Sequence, residues 1–274
     1  MIVKTHEEIR HVTTDVSAQQ SKKVLEWLCP HDYSKQFNDN RARYLPGTGQ
    51  WFLEHKTFLH WLNVSGSCTL FCPGDPGTGK TILSTLAIEN LRAKDLYARA
   101  PVLYLFCDYK RKNEQTLAHF TASLLRQLAF LSIEVFNEVK QLHDRWMREE
   151  MMPTLLELQT KLESALKSVA VVSIVVDALD ECETHVCQKF LSVVETLRRQ
   201  CEVRLMATSR PLPHVQSHPT FLDQPKLEVR ASNEDLEKYI RSRASELHYR
   251  VISKSDLLED IVASTVSATG GMYV

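Results

Sequence analysis

Gly74-Asp75-Pro76-Gly77-Thr78-Gly79-Lys80-Thr81 satisfies G-x-x-x-x-G-K-[ST] at every fixed position. The apolar, β-type run Cys68-Thr69-Leu70-Phe71-Cys72 leads into it, and the helical pattern Ile82-Leu83-Ser84-Thr85-Leu86-Ala87-Ile88 leads out. This order of strand, loop and helix is the context in which the motif builds a phosphate cradle. Glycines at 74, 77 and 79 permit backbone angles that side chains forbid, so successive N–H groups can turn inward around an anion. The N-terminus of the following helix adds unpaired N–H groups and the positive end of its dipole. Lys80 then supplies a point charge for the β- and γ-phosphates, and the Thr81 hydroxyl is the expected Mg²⁺ ligand. The cofactor-binding set read from this stretch is Gly74, Asp75, Pro76, Gly77, Thr78, Gly79, Lys80 and Thr81.

Outward from the loop, further β-type runs stand at Pro101–Cys107, Val171–Val176, Val203–Thr208 and, shorter, Lys226–Val229. Helical periodicity separates them, at Gln115–Phe130, Val135–Arg148, Thr154–Lys167 and Val186–Gln200. Alternating strands and helices predict an α/β fold, a three-layer P-loop NTPase with a mostly parallel five-stranded sheet. The β-branched run at Val171–Val176 fits a strand covered on both faces. Before this core, Ser17–Leu28 and Trp51–Leu62 read as helices; His31–Gln50 between them is polar, with Pro46-Gly47-Thr48-Gly49 marking a loop. After it, helices are expected from Ser232 to about Leu247 and over Ser255–Thr269. The expected organisation is a helical leader over 1–62, the NTPase core over 63–230 and a helical region over 231–274.

Chemistry requires acids as well as a cradle. The third strand ends in Val175-Val176-Asp177-Ala178-Leu179-Asp180-Glu181. Asp177 stands at the strand tip, where an acid holds Mg²⁺ or its water. Asp180 and Glu181 follow on the next turn, where an attacking water is polarised. Both also suit a helix start, where they would answer the dipole. The fourth strand ends in Thr208-Ser209-Arg210-Pro211, and an Arg at that edge can reach a γ-phosphate. The catalytic candidates are therefore Lys80, Asp180, Glu181 and Arg210, and the metal candidates are Thr81 and Asp177.

Composition removes several alternatives. The chain of 274 residues carries 33 Lys and Arg against 34 Asp and Glu, a net charge of −1, which asks for neither nucleic acid nor an anionic membrane. The longest apolar stretch, Val169–Val176, is too short to span a bilayer, and Met1–Glu8 lacks the apolar core of a secretory signal. Seven scattered cysteines without metal-ligand spacing read as reduced thiols of a cytoplasmic protein. No LSGGQ-type signature, N-K-x-D motif or arginine-rich lid directs the reading toward a transporter ATPase, a small GTPase or a nucleotide kinase.

Taken together, Gly74–Thr81, Asp177-Ala178-Leu179-Asp180-Glu181 and Thr208-Ser209-Arg210-Pro211 resemble the NACHT class of signal-transducing STAND ATPases. The segment from Trp27-Leu28-Cys29-Pro30 to Gly47-Thr48-Gly49-Gln50-Trp51-Phe52-Leu53 is similar to the leader of fungal NLR-like and nephrocystin-like proteins. The resemblance implies a switch that is closed with a diphosphate and open to self-assembly with a triphosphate, using slow Mg²⁺-dependent hydrolysis. It makes Lys80 and Thr81 the phosphate contacts, Asp177 the Mg²⁺ acid, Asp180 or Glu181 the water-positioning acid and Arg210 the γ-phosphate sensor. It also brings Thr48, Gly49 and Trp51 near the base. A phosphate loop does not read the base, so ATP is the expected nucleotide with GTP as the alternative. Relatives continue into a winged helix and then ankyrin, WD40 or TPR repeats. The ending Gly270-Gly271-Met272-Tyr273-Val274 resembles the start of a further family helix, so a fragment or a natural short form is expected. The competing reading is an interaction scaffold whose nucleotide is structural.

Overall fold

The structure, a computed structural model, describes residues 18–93, 100–149, 151–244, 255–269 and 272–273. Met1–Glu8, Ser17, Leu247, Gly270, Gly271 and Val274, on which some expectations rest, lie outside these residues. In chain order the elements are α1 (residues 18–28), α2 (Tyr33–Arg43), α3 (Gln50–Glu54), α4 (Lys56–Asn63), β1 (Cys68–Pro73), α5 (Lys80–Ala93), β2 (Val102–Phe106), α6 (Leu117–Leu131), α7 (Ile133–Glu149), α8 (Leu155–Leu166), β3 (Val171–Asp177), α9 (Thr184–Leu197), β4 (Glu202–Ser209), α10 (Pro213–Gln216), α11 (Asn233–Ala244) and α12 (Ser255–Thr269). Short 3₁₀ turns follow β2 at Tyr109–Arg111 and β3 at Leu179–Glu181. No described helix is long and apolar enough to cross a membrane.

The chain divides into two compact units, Met1–Asp32 with Thr116–Ser168, and Tyr33–Gln115 with Val169–Val274. The expected boundaries at 62/63 and 230/231 both fall inside the second unit.

The first unit is helical. Helix α6 packs on α7 and α8, and the Trp27 ring meets His143 of α7 edge-on at 5.0 Å. Arg126 ties α6 to the end of α1: its guanidinium donates to the Cys29 carbonyl at 2.5 Å and pairs with Asp32 at 3.0 Å. Thr154 begins α8 with a reciprocal cap. Its hydroxyl accepts from the Glu157 N–H at 3.3 Å, and the Glu157 carboxylate accepts from the Thr154 N–H at 3.0 Å. Thr154→Ala should therefore lower stability by about 1 kcal/mol, read as a shift in the urea midpoint at unchanged slope.

The second unit is built on a parallel sheet in the order β1-β4-β3-β2. Its strands are near-continuous apolar runs, as a doubly covered sheet demands: Leu70, Phe71, Leu103, Leu105, Ile174, Val175, Leu205 and Met206 are fully buried. Helix α5 packs against β2, β3 and β4, α2 against α5 and β2, and α4 against β1.

The sheet has four strands where five are expected. Residues 225–229 do run along β1: Phe71 N–H donates to the Pro225 carbonyl at 3.0 Å, Leu227 N–H to Phe71 at 2.9 Å and Val229 N–H to Pro73 at 2.7 Å. Only the Phe71–Lys226 pair forms a complete bridge. The next one would need an N–H from residue 73, which is proline, so the ladder stops.

One helix was not expected, and one other expectation is corrected. The polar stretch His31–Gln50 contains helix α2, anchored by Tyr33, Phe37 and Asn40, one buried residue per turn. The single helix expected over Trp51–Leu62 is two, α3 and α4, because His55 leaves helical geometry (φ −65°, ψ 132°) and caps α4, its Nδ1 accepting from the Thr57 N–H at 3.2 Å.

Candidate functional site

The loop between β1 and α5 is held from both sides. Gly74 N–H donates to the Ser209 carbonyl of β4 at 3.0 Å, and the Thr78 hydroxyl donates to the Asp75 carbonyl at 2.8 Å. A Cβ on Gly74 would lie 2.7 Å from the Val229 carbonyl oxygen, so the loop and the 225–229 segment approach as only glycine allows. Gly77 and Gly79 take the left-handed conformation (φ 77° and 86°), turning the backbone around the loop's mouth. Lys80 folds over this mouth, its ammonium donating to the Gly74 and Asp75 carbonyls at 2.7 Å each. Partial burial lowers its pKa, and the charges of Asp180, Asp177 and Asp75 oppose that shift.

Asp177, at the tip of β3, is buried and accepts three hydroxyls: Thr81 at 2.7 Å and Ser84 at 2.9 Å from α5, and Thr208 at 2.7 Å from β4. Desolvation raises its pKa against the pull of these bonds and of Lys80. Ser84 and Thr208 escape sequence reasoning, because a small hydroxyl in an apolar run carries no signal of its distant partner. Thr208 has a second role, accepting the Ala178 N–H at 2.9 Å. Ala178 itself sits in the left-handed region (φ 54°, ψ 47°), a local strain that turns the chain sharply between Asp177 and the two acids beyond.

Those two acids part ways. Asp180 is committed to Arg210, accepting its backbone N–H at 2.9 Å and its Nε–H at 2.5 Å. The Asp180 side chain is 2% exposed. The Asp180 bond and charge together raise the Arg210 pKa. Among the described residues, Glu181 accepts a single hydrogen bond, from the backbone N–H of Tyr109 at 3.0 Å. Burial raises its pKa first, the Tyr109 bond opposes, and Asp180 and Asp177 add repulsion. Tyr109 is positioned by a clasp after β2, in which Gln115 accepts the Asp108 N–H at 3.0 Å and donates to the Asp108 carbonyl at 2.5 Å.

A cavity of about 840 Å³ opens over this constellation. It is lined by Pro76–Leu83, by Asp180, Glu181 and Arg210, and by Thr48, Gly49 and Trp51 of the segment before α4. All the expected site residues except Gly74, Asp75 and Asp177 stand on its wall; those three lie directly beneath, bonded to Lys80 and Thr81. Asn40, Arg43, Tyr239, Arg243 and Tyr273 also line it and were not expected. The Thr81 hydroxyl and the Asp177 carboxylate, both hard oxygen donors 2.7 Å apart, form a set that fits Mg²⁺.

Comparison with known proteins bears on the fold and the family. Among solved structures, the chain is similar to the Cdc6p protein of Pyrobaculum aerophilum (14% identity, TM-score 0.52, covering 80% of this chain and 56% of that one). It is similar as well to the ORC1 protein of Aeropyrum pernix, solved in complex with DNA (14% identity, TM-score 0.50, covering 80% and 54%). The chain spans about half the length of each, and at this identity the likeness is one of fold, the α/β fold of P-loop NTPases. No curated protein sequence matches. Residues 47–210 match the family model described as Nephrocystin 3, N-terminal.

Proposed function

Because the chain belongs to the Nephrocystin 3, N-terminal family, we propose that it is a nucleotide-binding switch of the NACHT type, with ATP favoured over GTP and slow Mg²⁺-dependent hydrolysis controlling self-association. The observation that carries this reading is the 2.7 Å bond between Thr81 of α5 and Asp177 of β3, made beneath the same cavity that Lys80 faces. It joins the two halves of a metal–phosphate site across 96 residues of sequence.

In this reading the loop amides and Lys80 bind the β- and γ-phosphates, and Thr81 and Asp177 hold Mg²⁺, which when bound would neutralise phosphate charge. Glu181 orients the attacking water. Asp180 holds Arg210 at the cavity wall, where the guanidinium edge left free by Asp180 meets the terminal phosphate. Giving Asp180 to Arg210 leaves one acid for the water, which suits the low turnover of a switch. Competition binding of ATP, ADP and GTP, with and without Mg²⁺, tests the assignment: affinity for none of the three would end it.

Glu181→Gln should bind nucleotide as the wild type does and release phosphate in a single turnover roughly 100-fold more slowly. The sign of the pH effect follows from the raised Glu181 pKa. The carboxylate acts as a base, so wild-type hydrolysis should fall as pH drops through a value above the usual 4.5, and the variant should lose that limb.

The scaffold reading, in which nucleotide only stabilises the fold, draws on the same commitment of Asp180 to Arg210. Phosphate release equal in wild type and Glu181→Gln would favour it. We further propose a cytoplasmic protein that associates through the 63–230 core, flanked by a helical leader over 1–62 and a helical region over 231–274, and followed in a longer form by ankyrin, WD40 or TPR repeats. Its near-balanced charge gives no basis for binding nucleic acid or membrane.

A further inference from the structure

Tyr273 is drawn onto the phosphate loop by two different parts of itself. Its backbone N–H donates to the Gly77 carbonyl at 2.7 Å. Its ring lies so close to the next glycine that a Cβ on Gly79 would stand 3.0 Å from the ring's Cε2. Tyr239 of α11 meets the ring in an edge contact, with centroids 5.2 Å apart. The carboxylate of Asp235, also on α11, lies near the Tyr273 hydroxyl, and after burial it is this charge that raises the Tyr273 pKa. That carboxylate is buried, and its Oδ2 accepts the Gly49 N–H at 2.7 Å.

Asp235 thus stands between the backbone before α3, which it bonds, and the aromatic ring on the phosphate loop, whose hydroxyl it faces. These are two walls of one cavity, and the cavity keeps its volume of about 840 Å³ with the ring in place. The ring is a wall and not a plug. A phosphate chain seated on Gly77–Gly79 would leave past this ring, or only after its bond to Gly77 and its contact with Tyr239 are broken.

We propose that Tyr273, bonded to Gly77 and held against Tyr239, covers a nucleoside di- or triphosphate bound at the loop and slows its release. This rests on the reading of the cavity as a nucleotide site. Burial and the Asp235 charge both raise the Tyr273 pKa, so the hydroxyl remains a donor at neutral pH. The role is kinetic: a cover acts on departure more than on encounter, and affinity differences among variants of one site fall mostly in the dissociation rate.

The test uses the full chain, Mg²⁺ and a fluorescent N-methylanthraniloyl ADP displaced by excess unlabelled ADP in a stopped-flow instrument. Tyr273→Ala should release the probe about tenfold faster with little change in association. Tyr273→Phe, which keeps the ring and loses only the hydroxyl that faces Asp235, should fall between wild type and Tyr273→Ala. Circular dichroism and melting temperature establish that each variant is folded, and Tyr273→Phe carries the test if the alanine variant is not. Release within twofold of wild type from a folded Tyr273→Ala, or slower release, overturns the proposal while leaving nucleotide binding intact. A wild type that binds no probe removes the nucleotide reading itself, and the cover with it.

Discussion

Lys80→Ala should weaken ATP and ADP binding by roughly 10- to 100-fold, the loss expected when one charge-assisted hydrogen-bonding group is removed from a phosphate. The structure gives reason to expect a clean result. The Lys80 ammonium bonds only carbonyl oxygens of its own loop, Gly74 and Asp75, and the described structure gives it no ion pair within 4.0 Å. Those two carbonyls lie next to the cradle's amides, so the fold without nucleotide loses only two partly solvated hydrogen bonds. Stability should change little while affinity collapses. Isothermal titration for affinity and thermal melting for stability separate the two. Equal affinity in wild type and variant would mean that the loop is a turn between strand and helix and nothing more.

Asp177→Asn should slow Mg²⁺-dependent hydrolysis by roughly 100-fold or more, the several kcal/mol that a bound metal contributes to charge stabilisation. The amide fills the same space and can still meet the Thr81, Ser84 and Thr208 hydroxyls, so the fold should survive. Its stability should also lose a pH dependence. The pKa of Asp177 is raised in the folded state, mainly by desolvation. Below the unfolded value, near 3.8, both states hold the proton and the group contributes nothing. As pH rises through the window above it, the unfolded chain gives up its proton first and stability falls, reaching a plateau above the folded pKa. Urea unfolding across pH 4 to 8 in the absence of metal should show a downward contribution in the wild type that is missing from Asp177→Asn. Coincident pH profiles for the two proteins would contradict the burial argument.

The phosphate loop and the tip of β3 are legible in the sequence because their chemistry tolerates few residue types. Glycines at left-handed positions, a lysine, a hydroxyl and an acid after a β-branched run must stand in fixed order. What escapes is set by partners far away in the chain. Asp235 lies 186 residues from the Gly49 amide it accepts, and on sequence it is an ordinary acid in a helix's first turn. Helix α2 escapes because its buried stripe is one residue wide, Tyr33, Phe37 and Asn40, among polar neighbours. The break at His55 escapes because histidine is no helix breaker; a local cap decides it. The fifth strand fails through a residue on its neighbour, Pro73, and no reading of Lys226–Val229 alone could show that.

That half-made flank bears on how copies of this protein can meet. Along the outer margin, exposed Lys226, Glu228 and Arg230 alternate with buried Leu227, Val229 and Ala231, and the bonding to β1 is already interrupted. A foreign chain seeking to zip onto this rim by main-chain pairing would meet charge at every second position, a common safeguard against amyloid-like growth. The rim thereby disfavours sheet extension, which cannot be reversed, and leaves side-chain surfaces as the route for any contact between copies.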